Sequence, residues 1–180
     1  MRSVRHTGCV GTVTTSPAGT GDAIDAIVAQ WRTERPDIDP APMAVFGRIY
    51  RIASAAGSRM ERVYAQYGIG RGEFDVLAAL RRAGAPFDLS PGQLADTLML
   101  TTGGVTGRLD KLERAGLVER RADQSDRRAL RVVLTDRGRK TIDDAVVAGL
   151  DAQREMLARL GPQRSEQLAD LLCILLGDCS

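Results

Sequence analysis

Between Leu89 and Thr135 the spacing of apolar residues changes from helical to strand-like, with turn residues at each change, and this leaves few folds open. Ser90 followed by Pro91 is a helix-start signal, a side-chain cap and then a proline at the first helical position. The predicted short helix carries Leu94, Ala95 and Leu98 on one face and fades by Met99-Leu100. A turn through Thr101-Thr102 leads into a second helix with Val105, Leu109 and Leu112 at helical spacing and Gly116 as its stop. There follow a short apolar segment (Leu117-Val118), a charged loop (Arg120 to Arg128) and a run of Leu130, Val132, Val133 and Leu134. Helix, turn, helix and a two-stranded hairpin with a basic tip make a winged helix-turn-helix, whose second helix is the one that enters a major groove.

The flanks are helical. Asp22 is placed to cap a first helix with Ile24, Ile27, Val28 and Trp31 in one stripe, ended by Pro36. The proline-rich connector from Pro36 to Pro42 cannot be helical throughout. A long helix is predicted from Pro42 to Tyr67, broken by Gly68 and Gly70, and a third from Arg71 to Ala83. Thr135 caps a helix from Asp136 to Leu160 expected to bury Ile142, Val146, Leu150 and Leu157. After Gly161-Pro162 a last helix carries Leu168, Leu171, Leu172, Ile174 and Leu175. These terminal stripes have no partner in a small winged helix, and two copies packing together would bury them; the alternative is that they complete the monomer core. Two-fold symmetry would set two recognition helices about one DNA turn apart on a pseudo-palindromic operator.

The fold class is therefore mainly α with a small β-wing, a winged helix-turn-helix with N- and C-terminal dimerisation helices. The expected organisation is a flexible arm (1–21), N-terminal helices for dimerisation and a ligand pocket (22–70), the DNA-binding region (71–135) and C-terminal dimerisation helices (136–180).

A net charge of +2 says little, but its distribution is uneven: Thr102 to Lys140 holds eleven Lys/Arg against six Asp/Glu, the pattern of a DNA-facing surface. The 43% apolar content suffices for a core, and no apolar run reaches the length of a membrane span. The first residues lack the apolar centre of a secretory signal, so a cytoplasmic protein without membrane contact is expected. His6, Cys9, Cys173 and Cys179 make no metal-ligand spacing. Cys173 sits in an apolar helical pattern and reads as a small core residue. With no Ser-His-Asp set, no metal cluster and no P-loop lysine after Gly103-Gly104, neither an enzyme nor a cofactor is expected.

The segment from Gly103 to Asp123 (GGVTGRLDKLERAGLVERRAD) and the pattern Asp126-x-Arg128 followed by Leu134-Thr135 resemble the MarR family of dimeric transcription regulators, over about residues 22–178. The resemblance implies that Arg128 enters a minor groove and that Asp126 steadies the wing. Arginine suits a narrow, electronegative groove, and a neighbouring carboxylate can hold its guanidinium. Thr101, Thr102 and Thr106 can meet phosphates or base edges, with Lys111 and Arg127 as further DNA-binding candidates. Gly107 stands where the family often has asparagine; it removes a base contact and weakens the helix by about 1 kcal/mol relative to alanine.

The segments QWRTERPD (Gln30 to Asp37) and FDVLAALRRAG (Phe74 to Gly84) further resemble the urate-responsive branch of that family, the HucR, PecS and MftR group. That likeness makes Trp31, Asp75, Arg108 and Arg120 a ligand-sensing set. A planar, oxygen-rich anion calls for an aromatic neighbour and a guanidinium fork, which Trp31 and Arg108 can supply. Asp75 would be repelled by the anion, and an Asp75–Arg120 pair could carry its displacement to the recognition helix. Singly, each residue has a plainer reading: a core tryptophan, a helix-start aspartate and two phosphate-contacting arginines.

The function expected is a dimeric, sequence-specific regulator, a repressor released from its double-stranded operator by a small anionic effector, urate being one candidate. An architectural DNA-binding protein without a ligand, or a cysteine-based redox-sensing regulator, are the alternatives.

Overall fold

The computed structural model describes residues 21–123 and 129–177. Among them lie seven helices and three short strands, in two compact units divided after Ile52.

In the first unit, Asp22 caps α1 (Ala23–Glu34): its carboxylate accepts from the backbone N–H groups of Ile24 and Asp25, and Asp25 reciprocates to Asp22 N. This capping box satisfies donors that the first turn leaves open. After the proline-rich connector, α2 (Ala41–Ala65) begins, and its first half belongs to this unit. Gly47 allows a close approach of the two helices, since a Cβ there would lie 3.0 Å from Ile24 Cδ1. Arg48 adds ion pairs to Asp22 (3.0 Å) and Asp25 (2.8 Å). Ile24 and Val28 are buried, whereas Ile27 and Trp31 of the same stripe are exposed.

In the second unit, α3 (Arg71–Arg82) is the central element, packed on α4 (Pro91–Leu98), α5 (Thr102–Arg114) and α6 (Asp136–Leu157). Its Val76, Leu77 and Leu80 meet Leu94, Leu109, Leu112, Val132 and Ile142 in a core from which water is excluded. Tyr64, near the end of α2, is buried and stacks on Phe74 at 4.0 Å, and burial pushes its hydroxyl pKa up.

The wing is a three-stranded antiparallel sheet in the order β1-β3-β2, not a two-stranded hairpin. β1 is the two-residue strand Asp88–Leu89, paired with Val133 and Val132 of β3 (Leu130–Leu134), and β2 (Val118–Ala122) pairs along the other edge. Asp123 N donates to Ala129 O, just beyond the paired ends of β2 and β3.

Two burial expectations are corrected. α6 buries Ile142, but with Gly138, Ala145, Gly149 and Ala152 rather than Leu150 and Leu157, which are exposed, and Val146 is only partly buried. α7 (Pro162–Leu176) buries nothing fully, so Cys173 is not a core residue; it is half-buried and disulfide-bonded.

Candidate nucleic-acid interface

Ser90 and Pro91 start α4 as the sequence requires, with Ser90 Oγ accepting from Gln93 N and Gln93 Oε1 accepting from Ser90 N. α4 ends at Met99 in a left-handed conformation. Thr101 is the N-cap of α5, its Oγ1 accepting from Gly104 N at 3.2 Å, and Thr102 is already helical. The turn thus falls at Met99-Leu100, two residues earlier than the two threonines suggest. The inner face of α5 is Val105, Leu109 and Leu112. Its outer face presents Thr102, Gly103, Thr106, Gly107 and Asp110. A Cβ at Gly103 or Gly107 would meet nothing within 4 Å, so this face is low and its backbone is accessible. Thr106 Oγ1 donates to Thr102 O, leaving lone pairs for an incoming donor.

The cations around this helix are largely engaged. Arg108 turns inward: it is half-buried, its Nη1 donates to Gly72 O at 3.4 Å, and its guanidinium fills the space a Gly72 side chain would take. Lys111, largely exposed, leans on Glu73 (3.4 Å), the carboxylate that also accepts from Gly70 N. Arg120 joins β2 to α5 through Asp110 (2.6 Å) and Glu113 (2.7 Å). Asp75 pairs with Arg71, one turn back on α3, at 3.5 Å. The expected Asp75–Arg120 pair is therefore replaced by two separate ones: Arg120 has two nearer carboxylates on its own neighbouring helix. Trp31 lies in the first unit, 41% exposed. Asp126, Arg127 and Arg128 lie outside the described residues.

One anchoring group escaped the sequence reading. Arg131 of β3 makes a bidentate pair with Asp88 of β1 (2.9 and 2.8 Å) and donates to Gln93 Oε1 of α4 at 3.1 Å. Asp123 stands 3.9 Å away. The guanidinium holds the Asp88 carboxyl below the usual carboxylate range, its hydrogen bond outweighing the effect of burial. A second cationic cluster surrounds Phe87, with the guanidinium carbons of Arg81 and Arg139 5.1 and 5.8 Å from the ring centre. Among the described residues no group of three or more His, Cys, Asp or Glu side chains is placed to hold a metal ion, and no helix is long and apolar enough to cross a membrane.

A capped recognition helix with a low exposed face, a preceding helix set against it and a clamped three-stranded wing define a winged-helix DNA-binding protein. The sequence model of the MarR family matches residues 67–129. The HTH-type transcriptional regulator PecS of Dickeya dadantii is 38% identical over 149 residues, 83% of this chain and 90% of that protein. Among solved structures, a mutant MarR from E. coli complexed with operator DNA matches with a TM-score of 0.63 at 23% identity, over 87% of this chain and 99% of that one. CouR from Rhodococcus jostii RHA1 bound to p-coumaroyl-CoA matches with a TM-score of 0.60 at 23% identity, over 73% and 90%. The chain belongs to the MarR family: it is a DNA-binding transcriptional regulator, and the relatives it matches are regulators rather than enzymes.

Proposed function

We propose that this regulator is a homodimeric repressor that leaves a pseudo-palindromic operator when a small anion binds, with urate the first candidate. The observation that carries the reading is the orientation of Arg108. It sits on the recognition helix yet turns away from the outer face, towards the first turn of α3, where Gly72 accepts its hydrogen bond and Asp75 follows three residues on. An arginine meant for phosphate would extend into solvent; one held half-buried beside a carboxylate-bearing helix is placed to exchange partners when an anion arrives. Trp31 and Arg120 complete the set by their likeness to the urate-responsive branch, with Arg120 acting through its hold on Asp110 and Glu113.

The dimer is supported by apolar side chains left uncovered in each unit: Val45, Phe46 and Tyr50 in the first, Leu171, Ile174 and Leu175 in the second. A second copy is the simplest cover for such surfaces. Thr101, Thr102, Thr106 and Lys111 remain the DNA-contacting candidates at α5, and the resemblance to the family adds Arg127, Arg128 and the supporting Asp126.

A gel shift on the DNA upstream of the gene, with and without millimolar urate, tests this directly. Trp31 is the only tryptophan, so its fluorescence reports the same titration. Specific binding relieved by urate with quenching is the expected result, and Trp31→Ala should bind DNA normally but respond weakly. Binding that urate leaves unmoved overturns the effector, equal binding to any DNA overturns the operator, and a full response in Trp31→Ala removes Trp31 from the set.

A further inference from the structure

Met99 closes α4 with φ 52° and ψ 44°, the left-handed region that glycine or asparagine enters with little penalty and methionine does not. Its N–H donates to Asp96 O, so this conformation forms the end of the helix, where glycine is the usual residue. Nor does core packing account for the side chain: it is 92% exposed, whereas Leu100 beside it packs against the core. A strained backbone carrying a fully exposed apolar side chain needs another explanation.

Position supplies one. Met99 stands two residues before Thr101, the N-cap of α5, and so at the end of the recognition helix from which helix-turn-helix proteins reach base edges. The outer face there is otherwise low, with Gly103 and Gly107 bare and Thr102 and Thr106 short. A thioether has nothing to offer a phosphate, which calls for cations or N–H donors. The apolar group that a major groove does present is the thymine methyl, and a flexible, polarisable methionine adapts well to it. We infer that Met99 is a specificity-determining residue, reading a thymine methyl beside the N-terminus of the recognition helix. This rests on the sequence-specific DNA-binding reading above.

The test begins with a duplex selected by the full-length wild type from a randomised pool, remade with uracil for thymine. Met99→Asn and Met99→Gly should each bind the thymine duplex about tenfold more weakly, with an unfolding temperature equal to or above that of the wild type because the left-handed strain is relieved. Met99→Leu should keep the affinity. Uracil should cost the wild type about fourfold more per contacted methyl than it costs Met99→Asn. Wild-type affinity in both variants, affinity lost only together with thermal stability, or an equal uracil penalty in wild type and Met99→Asn would each overturn the inference while leaving the regulator in place. If the wild type enriched no sequence at all, the sequence-specific reading would fall and take this inference with it.

Discussion

Two glycines in helices invite the same substitution and should respond with opposite signs. Helix propensity alone says that alanine stabilises a helical glycine site by about 1 kcal/mol. Gly107 on α5 is open, with nothing within 4 Å of an added Cβ, so Gly107→Ala should realise that gain. Gly138, in the first turn of α6, is placed differently: a Cβ there would lie 1.9 Å from Leu117 O and 2.9 Å from its carbonyl carbon. The obstacle is backbone and cannot rotate aside. Restoring an ordinary C···O separation of about 3.3 Å requires α6 to retreat by more than 1 Å. That retreat would pull on three hydrogen bonds: Thr135 N to Leu117 O (3.2 Å), Thr135 Oγ1 to Gly116 O (2.9 Å) and Gly138 N to Thr135 Oγ1 (2.9 Å). Overpacking costs about 1–3 kcal/mol and a disturbed cap about 1 kcal/mol more, against the propensity gain of about 1 kcal/mol, so Gly138→Ala should lose roughly 1–3 kcal/mol net. For a chain of this size that is a fall in Tm of roughly 3–10 °C, read by circular dichroism at fixed protein concentration, while Gly107→Ala rises by a few degrees. A Gly138→Ala variant as stable as the wild type, or more so, would refute the close-approach argument and leave propensity as the whole account.

Two further perturbations follow from the same geometry. Arg131→Lys should fail to replace the arginine, because an ammonium cannot make the bidentate pair with Asp88 while also reaching Gln93; a lower urea midpoint is expected, and an unchanged midpoint would deny the clamp. Its partner gives a pH signature. Because the folded Asp88 pKa is depressed by Arg131, the stability difference between wild type and Asp88→Asn is present above the unfolded carboxylate value and disappears as pH falls through the lower folded one; a difference that vanished near neutrality would point to another group. Thr135→Val keeps shape but removes a hydroxyl that both donates to Gly116 O and accepts from Gly138 N, at about 1–2 kcal/mol, and unfolding of that variant at the wild-type midpoint would show the bridge to be idle.

Much of this scaffold was legible because the signals were local. Asp22, Ser90 and Thr135 cap the helices that follow them, and the helices predicted from Pro42 to Tyr67 and from Arg71 to Ala83 begin and end within two residues of those bounds. What stayed hidden depends on partners distant in sequence. β1 has two residues, too few to show a period, and exists because Val132 and Val133 lie beside it. Arg131 and Asp88 are 43 positions apart, and nothing in either neighbourhood names the other. In α6 the period was right and the phase was not. A leucine stripe suggested the inner face, but α6 packs closely, turning Gly138 towards Leu117 and Gly149 towards Tyr64, and small residues are what such an approach admits. The pairing of Arg120 with Asp75 came with the family resemblance, and a resemblance does not choose among carboxylates: Arg120 meets Asp110 and Glu113 instead.

Those same contacts constrain how any effector can act. A ligand changes DNA affinity only by favouring one of two arrangements of the protein. The recognition helix of this chain is not free to turn alone. Arg120 ties β2 to Asp110 and Glu113 of α5, Thr135 ties the turn after α5 to the start of α6, and Gly138 seats α6 on the Leu117 carbonyl. Rotating α5 by itself would break two charge-assisted bonds and strip the cap of α6, whereas moving α5, β2 and the start of α6 together breaks none of these. Arg108 and Lys111, by contrast, reach α3 through single long contacts of 3.4 Å. These polar contacts between α5 and the first turn of α3 are longer than the ties to β2 and α6, and a movement that carries the recognition helix with the wing base and the start of α6 leaves those ties intact.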